Sequence, residues 1–144
     1  GLGRVQTGIL RTLTSAGYIP VIEPTAFGAF DDDVNLGADD VACAVAAATE
    51  AIRAIFFHAL GGVIDPRTER LIAELTPAEA LAIADDARIP FDLREAIRAA
   101  AFGVRAGVPA AQIVDGGIAN ALLVELVTDC HLGTQVTGAI FTGA

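Results

Sequence analysis

Residues 54–60 read AIFFHAL, an apolar run with a single histidine and no polar alternation. A strand with one wetted face alternates; this one does not, so both of its faces must be covered by other structure. It is bracketed by VACAVAAATEAI (41–52), whose small residues suit a closely packed helix, and by Gly61-Gly62, a natural turn. The whole run 41–64 is apolar enough to raise a membrane span. Glu50 and Arg53 interrupt it near its middle, where charge is costly in a bilayer, so a buried helix followed by a buried strand is expected.

The rest of the chain repeats that alternation. Val5, Ile9, Leu10 and Leu13 share one face of a helix over 4–16, and Gly17 stops it. YIPVIEP (18–24) reads as a strand, with Pro20 pushing it toward an edge, and 25–34 as a loop or short hairpin. A helix is expected from Ala38 to about Ile52, and a short strand at RLIAEL (70–75). Thr76-Pro77-Ala78-Glu79 predicts a capping box opening a helix over 77–86. Asp92 is expected to cap a helix running to Arg105, stopped by Gly107 and Pro109. AQIVDGG (111–117) is a strand and turn, 118–128 a helix, and GTQVTGAI a last strand. The fold class is therefore α/β: an open, largely parallel sheet covered on both faces. Such sheets bind ligands beyond the carboxyl ends of their strands, near helix N-termini. Segments 34–40, 58–64 and 115–120 fall there.

Composition decides what chemistry is open. The 18 acidic and 9 basic residues give a formal charge of -9, which argues against nucleic acid and anionic membrane partners. All nine basic residues (Arg4, Arg11, Arg53, Arg67, Arg70, Arg88, Arg94, Arg98 and Arg105) are arginine. No mechanism can draw an ammonium group from a lysine of this chain. Cys43 reads as a small core residue; Cys130 beside His131 offers only two ligands, so no metal site is expected. No secretory-type start is visible, and a reducing cytoplasm is expected.

Locally, each polar candidate has a bland reading. Asn35 and Asp39 suit a helix start. His58 suits a hydrogen-bonded strand end. Gly61-Gly62 and Gly116-Gly117 are turns that could also bring backbone N–H groups to a phosphate. Asp31-Asp32-Asp33 suits a solvated loop, and Asp129 and His131 have no evident third partner.

The order of segments adds a resemblance. LTSAGYIPVIEP resembles the strand entry of acetylglutamate kinases, within the amino acid kinase family, and VNLGADDVACAVAAAT resembles that family's Asn-x-Asn-Ala-Asp segment and small-residue helix. AIFFHALGGVID, RLIAELTPAEALAIADD, VRAGVPAAQIVDGGIANALLVELVTD and HLGTQV follow in the family's order, over nearly the whole chain. The resemblance implies a three-layer sandwich around a mainly parallel sheet, with residues 1–144 forming the carboxy-terminal, nucleotide-binding half and no amino-terminal lobe. It implies ATP with Mg as cofactor and phosphorylation of the side-chain carboxylate of N-acetylglutamate, a step of arginine biosynthesis. It implies Asn35 as substrate contact, Asp39 as the aspartate that orients catalytic lysines, and His58, Gly61 and Gly62 at the nucleotide turn. His58-Ala59 replaces the family's Ser/Thr-Asp pair. The carboxy-terminal lysine position falls on Ala96 or, with a shift, on Phe91; Arg94 is the nearest cation. A degenerate kinase chain, inactive alone, is the expected activity. The alternatives are a docking subunit, with self-association or a partner covering an exposed sheet edge, and a piece of a longer kinase.

Overall fold

The computed structural model describes residues 5–27, 33–127 and 132–138. Along the chain the elements are α1 (Gly8–Ser15), β1 (Thr25–Phe27), β2 (Asp33–Asn35), α2 (Ala38–Ala48), β3 (Arg53–His58), β4 (Glu74–Leu75), α3 (Pro77–Ala84), α4 (Phe91–Arg105), β5 (Ala110–Asp115), α5 (Ala121–Val127) and β6 (Gly133–Thr137). The four-stranded sheet runs β3-β5-β6-β4. β3 and β5 are parallel, as are β4 and β6, while β5 and β6 are antiparallel. The sheet is thus mainly parallel, with one reversed pairing that the segment pattern did not foretell. β1 and β2 form the short hairpin expected near 25–34.

Helices α2, α3 and α4 lie against one face of the sheet and α5 against the other. The core on the first face joins Ala54 and Phe56 of β3, Ala111 and Ile113 of β5 and Val136 of β6 to Leu93, Ala96, Ile97, Ala100 and Ala101 of α4. Alanine dominates α4 because α2 crosses it closely. A Cβ on Gly103 would stand 2.8 Å from the Cys43 sulfur. That thiol donates to the Ala99 carbonyl at 2.9 Å, and burial pushes its pKa up to about 11. Cys43 is the small core residue expected; Cys130, His131 and Asp129 lie outside the described residues, as do Asp31 and Asp32.

The capping box forms as predicted. Thr76 Oγ1 accepts the Glu79 N–H at 3.2 Å, and Glu79 accepts the Thr76 N–H at 2.8 Å. Such caps typically stabilise by about 1 kcal/mol.

Four expectations need correction. Residues 18–24 form no strand. Pro20 and Pro24 have no N–H to give a ladder, no described strand lies alongside, and Ile19 and Val21 are 91% and 95% exposed. Helix α2 stops at Ala48 rather than near Ile52, because Glu50 turns into the left-handed region (φ 57) and Ala51 N–H bonds back to the Ala46 carbonyl. The strand expected over 70–75 shrinks to Glu74–Leu75, with Leu71 held only by an isolated bridge to Ile64. Asp92 is not the cap of α4: Pro90 occupies that position, and Asp92 lies in the first turn. Proline fits a helix start because its ring fixes φ, here −53, and needs no N–H partner. No described helix is long and apolar enough to cross a membrane; the run 41–64 is largely α2, β3 and the turn after it.

Candidate functional site

The carboxyl ends of parallel strands β3 and β5 lie side by side, with His58 in register with Asp115. Fixed dipoles and open turns make this end of an α/β sheet the default place for a ligand. The turn 59–62 leaves β3 there, and Asp39 and Asp92 bring the N-terminal turns of α2 and α4 to the same place through their interactions with His58. Four of the five sequence-predicted residues, Asp39, His58, Gly61 and Gly62, therefore meet at this end. For Asn35 the backbone alone is described: it ends β2, paired with Thr25, two positions ahead of the Gly37 cap of α2.

His58 holds the site together. Its carbonyl accepts the N–H groups of Gly61 at 3.1 Å and Gly116 at 3.2 Å. Its Nδ1 accepts the Leu60 N–H at 3.1 Å, which leaves the ring proton on Nε2. Nε2 lies 3.3 Å from Asp92 Oδ2, joining the end of β3 to the first turn of α4. The imidazole is nearly buried and the carboxylate mostly exposed. Asp92 is the residue that reading the sequence missed as a site group. The signal was present in Ile89-Pro90-Phe91-Asp92, a helix start with an acid in its first turn, but it pointed only to capping.

Asp39 sits in the first turn of α2. Burial raises its carboxyl pKa above the usual aspartate range, Asp40 and Glu95 push the same way, and His58 opposes them. An acid with a raised pKa in the folded state adds stability below the ordinary carboxyl range and loses it as pH rises through the raised value. Asp39→Asn is therefore expected to be the more stable protein at pH 7, by roughly 0.5 kcal/mol, the scale of a partly exposed charge contact. Denaturant melts at pH 7 and pH 3 check this: the gain should vanish at the lower pH, and a variant less stable at pH 7 contradicts the reading.

The two glycine pairs do less for an anion than their sequence suggested. Gly61 is left-handed (φ +75), and a Cβ there would meet the Asp115 side chain at 2.9 Å. At Gly62 a Cβ would meet Leu71 at 2.8 Å and Thr134 Oγ1 at 3.2 Å. The glycines are needed for close packing of the turn. Its donors are largely engaged: the N–H groups of Leu60 and Gly61 bond to His58, and that of Val63 bonds to Thr134 Oγ1 at 2.8 Å. Likewise Gly116 N–H bonds to His58 O and Gly117 N–H to Asp115 Oδ1 at 2.7 Å.

Beside the turn, a cleft of about 250 Å³ opens between residues 60–66 and 88–93. Its walls are Leu60, Gly62, Ile64, Pro66, Ile89, Pro90 and Leu93, with Arg88 the one charged group. Arg88 is already bonded through both nitrogens of its fork to Asp86, at 3.0 and 2.6 Å, and holds the Asp86 pKa down to about 2. Arg94 lies over the Phe91 ring, 5.6 Å from its centroid. Of the two positions to which the sequence could assign the family lysine, Ala96 is buried at 3% exposure and Phe91 is exposed at the first position of α4. An apolar cleft of this size suits the base of a nucleotide. Of the cations near it, Arg88 is paired with Asp86 and Arg94 lies over Phe91, and the chain contains no lysine. A larger cavity, about 510 Å³, lies between α3 and the 65–72 segment and contains none of the predicted site residues.

Comparison with known proteins agrees with this architecture. Residues 2–115 match the amino acid kinase family. The chain is 37% identical over 132 residues to the acetylglutamate kinase of Acidiphilium cryptum, covering 92% of this chain and 44% of that protein. It is 37% identical over 139 residues to that of Synechococcus sp. WH7803, covering 95% and 47%. The chain thus spans less than half the length of these relatives. Among solved structures, N-acetylglutamate synthase from Neisseria gonorrhoeae, complexed with coenzyme A and L-arginine, superposes with a TM-score of 0.83 at 26% identity, over 92% of this chain and 31% of that one. The isopentenyl phosphate kinase of T. acidophilum shares the fold at a TM-score of 0.67 and 13% identity, over 94% of this chain and 55% of that one. With a matched segment covering most of its length and a mainly parallel sheet flanked by helices on both faces, the chain belongs to the amino acid kinase family.

Proposed function

We propose that this chain is the carboxy-terminal part of an acetylglutamate-kinase-like protein of arginine biosynthesis that binds ligand without transferring phosphate from its own groups. N-acetylglutamate would meet the N-terminal end of α2, with Asn35 as its contact and Asp39 behind it. The ring of a nucleoside or nucleotide would enter the 60–66/88–93 cleft at the turn of His58, Gly61 and Gly62. The cytoplasm is the compartment that suits such an enzyme. The observation that carries the reading is Asp39: a half-buried carboxylate, beside His58 at the ligand end of the sheet, in a chain with no lysine for it to orient. The occurrence of the same half-fold in a protein named N-acetylglutamate synthase, rather than a kinase, is consistent with a use other than phosphoryl transfer. Titration calorimetry with N-acetylglutamate, paired with a hydroxamate assay for acyl phosphate, tests it. Heat without turnover is expected; turnover at a rate normal for kinases overturns it.

A second reading, a docking subunit, rests on a separate observation. Within the described sheet β3 is an edge strand, pairing only with β5, and Ile19, Val21 and Ile52 are 91%, 95% and 82% exposed. Unpaired edges and exposed large apolar side chains promote association. Sedimentation should then show a concentration-dependent oligomer; a monomer at all concentrations removes this reading.

A further inference from the structure

The apolar cleft and the charges around its mouth ask for different ligands. Its walls include two exposed apolar side chains, Leu60 at 54% and Ile64 at 46%, which an inserted ring would cover. At about 250 Å³ it lies just below the roughly 300–1,000 Å³ of pockets for drug-sized ligands, room for one ring system. Acidic side chains gather around His58 at this end of the sheet. Asp39 comes from α2, Asp92 and Glu95 from α4, and Asp115 from the end of β5. Against them stand His58, engaged with Asp92, Arg88 with Asp86 and Arg98 with Glu95, while Arg94 lies over the Phe91 ring. The turn offers little compensation, because the N–H groups of Leu60, Gly61, Val63, Gly116 and Gly117 all donate within the chain.

We propose that this cleft takes an uncharged ring ligand of nucleoside type and rejects the corresponding triphosphate, with Asp92 as the residue that enforces the rejection. The ring is held by burial of apolar surface, which does not depend on charge. A triphosphate extending from it meets Asp92, exposed on the first turn of α4 and closing the space beside His58. To gain the imidazole as a partner the anion would have to displace that carboxylate. The proposal rests on reading the 60–66/88–93 cleft as the base pocket of the site.

The test is titration of the 144-residue chain with adenosine, ADP and ATP, without magnesium, followed by calorimetry and by amide NMR shifts of Leu60, Ile64 and Leu93. Affinity should fall in that order, ATP binding at least about tenfold more weakly than adenosine. Asp92→Asn should tighten ATP about fivefold and leave adenosine within about twofold. Glu50→Gln, the same charge change at the far end of α2, should alter neither. ATP binding as tightly as adenosine overturns this inference and leaves the proposed function standing. Adenosine that moves none of the three amides overturns it together with the base-pocket reading. An equal effect of Asp92→Asn on both ligands removes the role of Asp92. The wild-type ligand series stands even if that variant fails to fold.

Discussion

Gly133→Ala is expected to destabilise the chain by at least about 3 kcal/mol, a large share of the 5–15 kcal/mol that typical domains possess. Gly133 opens β6 and pairs with Val114 of β5. A Cβ built on it would overlap the carbonyl oxygen of Ile113, and would stand 2.9 Å from that carbonyl carbon and 3.0 Å from the Gly61 carbonyl oxygen. All three are backbone atoms, so no side chain can swing aside. The strands would have to part where β5 is fully buried and where the turn after β3 packs against them. Forced overpacking costs typically 1–3 kcal/mol even where side chains can adjust, and here they cannot. Gly138→Ala is the control. It lies just past the other end of β6, where a Cβ would meet only Val104 at an ordinary 3.7 Å. Urea unfolding should show the first variant unfolded or nearly so and the second within about 1 kcal/mol of wild type. A Gly133→Ala protein as stable as the control would mean that β5 and β6 do not pair as described.

The second large effect is on turnover. Given N-acetylglutamate and ATP-Mg, the chain should form acyl phosphate at least about 10³-fold more slowly than a kinase of ordinary rate, on the order of 4 kcal/mol of lost transition-state stabilisation. Phosphoryl transfer depends on positive charge placed where the phosphate oxygens develop theirs. Here each nearby cationic group is placed elsewhere: Arg88 grips Asp86, Arg94 covers Phe91, and His58 faces Asp92. Arginine is also no direct replacement, since its planar fork spreads the charge that an ammonium concentrates. The hydroxamate assay reads the difference directly, and a rate of about 1–100 s⁻¹, ordinary for kinases, contradicts it.

Much of the fold was legible in the residues. The apolarity of 54–60 marked β3 as a strand, but the cover it led one to expect on both faces is found on one: Ala54 and Phe56 are buried among the helices, while Phe57 is 57% exposed. Thr76 and Glu79 announced their capping box because each bond in it spans three residues, a distance the sequence states outright. YIPVIEP misled for the opposite reason. It has the composition of a strand, but a strand needs a neighbour, and no described strand runs beside it.

The site divides the same way. Asp39 and the turn glycines could be picked from their order along the chain and the family they resemble. Composition alone settled the most consequential point, the lack of any lysine. Only the tertiary structure placed Asp92 against His58, thirty-four positions away in sequence. Only it showed that the turn donors already have acceptors, and that Asp115 stands behind Gly61. Sequence fixes which groups exist and what each neighbourhood of a few residues prefers. Which charge meets which, and which N–H is already used, depends on contacts between residues far apart along the chain, and folding alone brings those together.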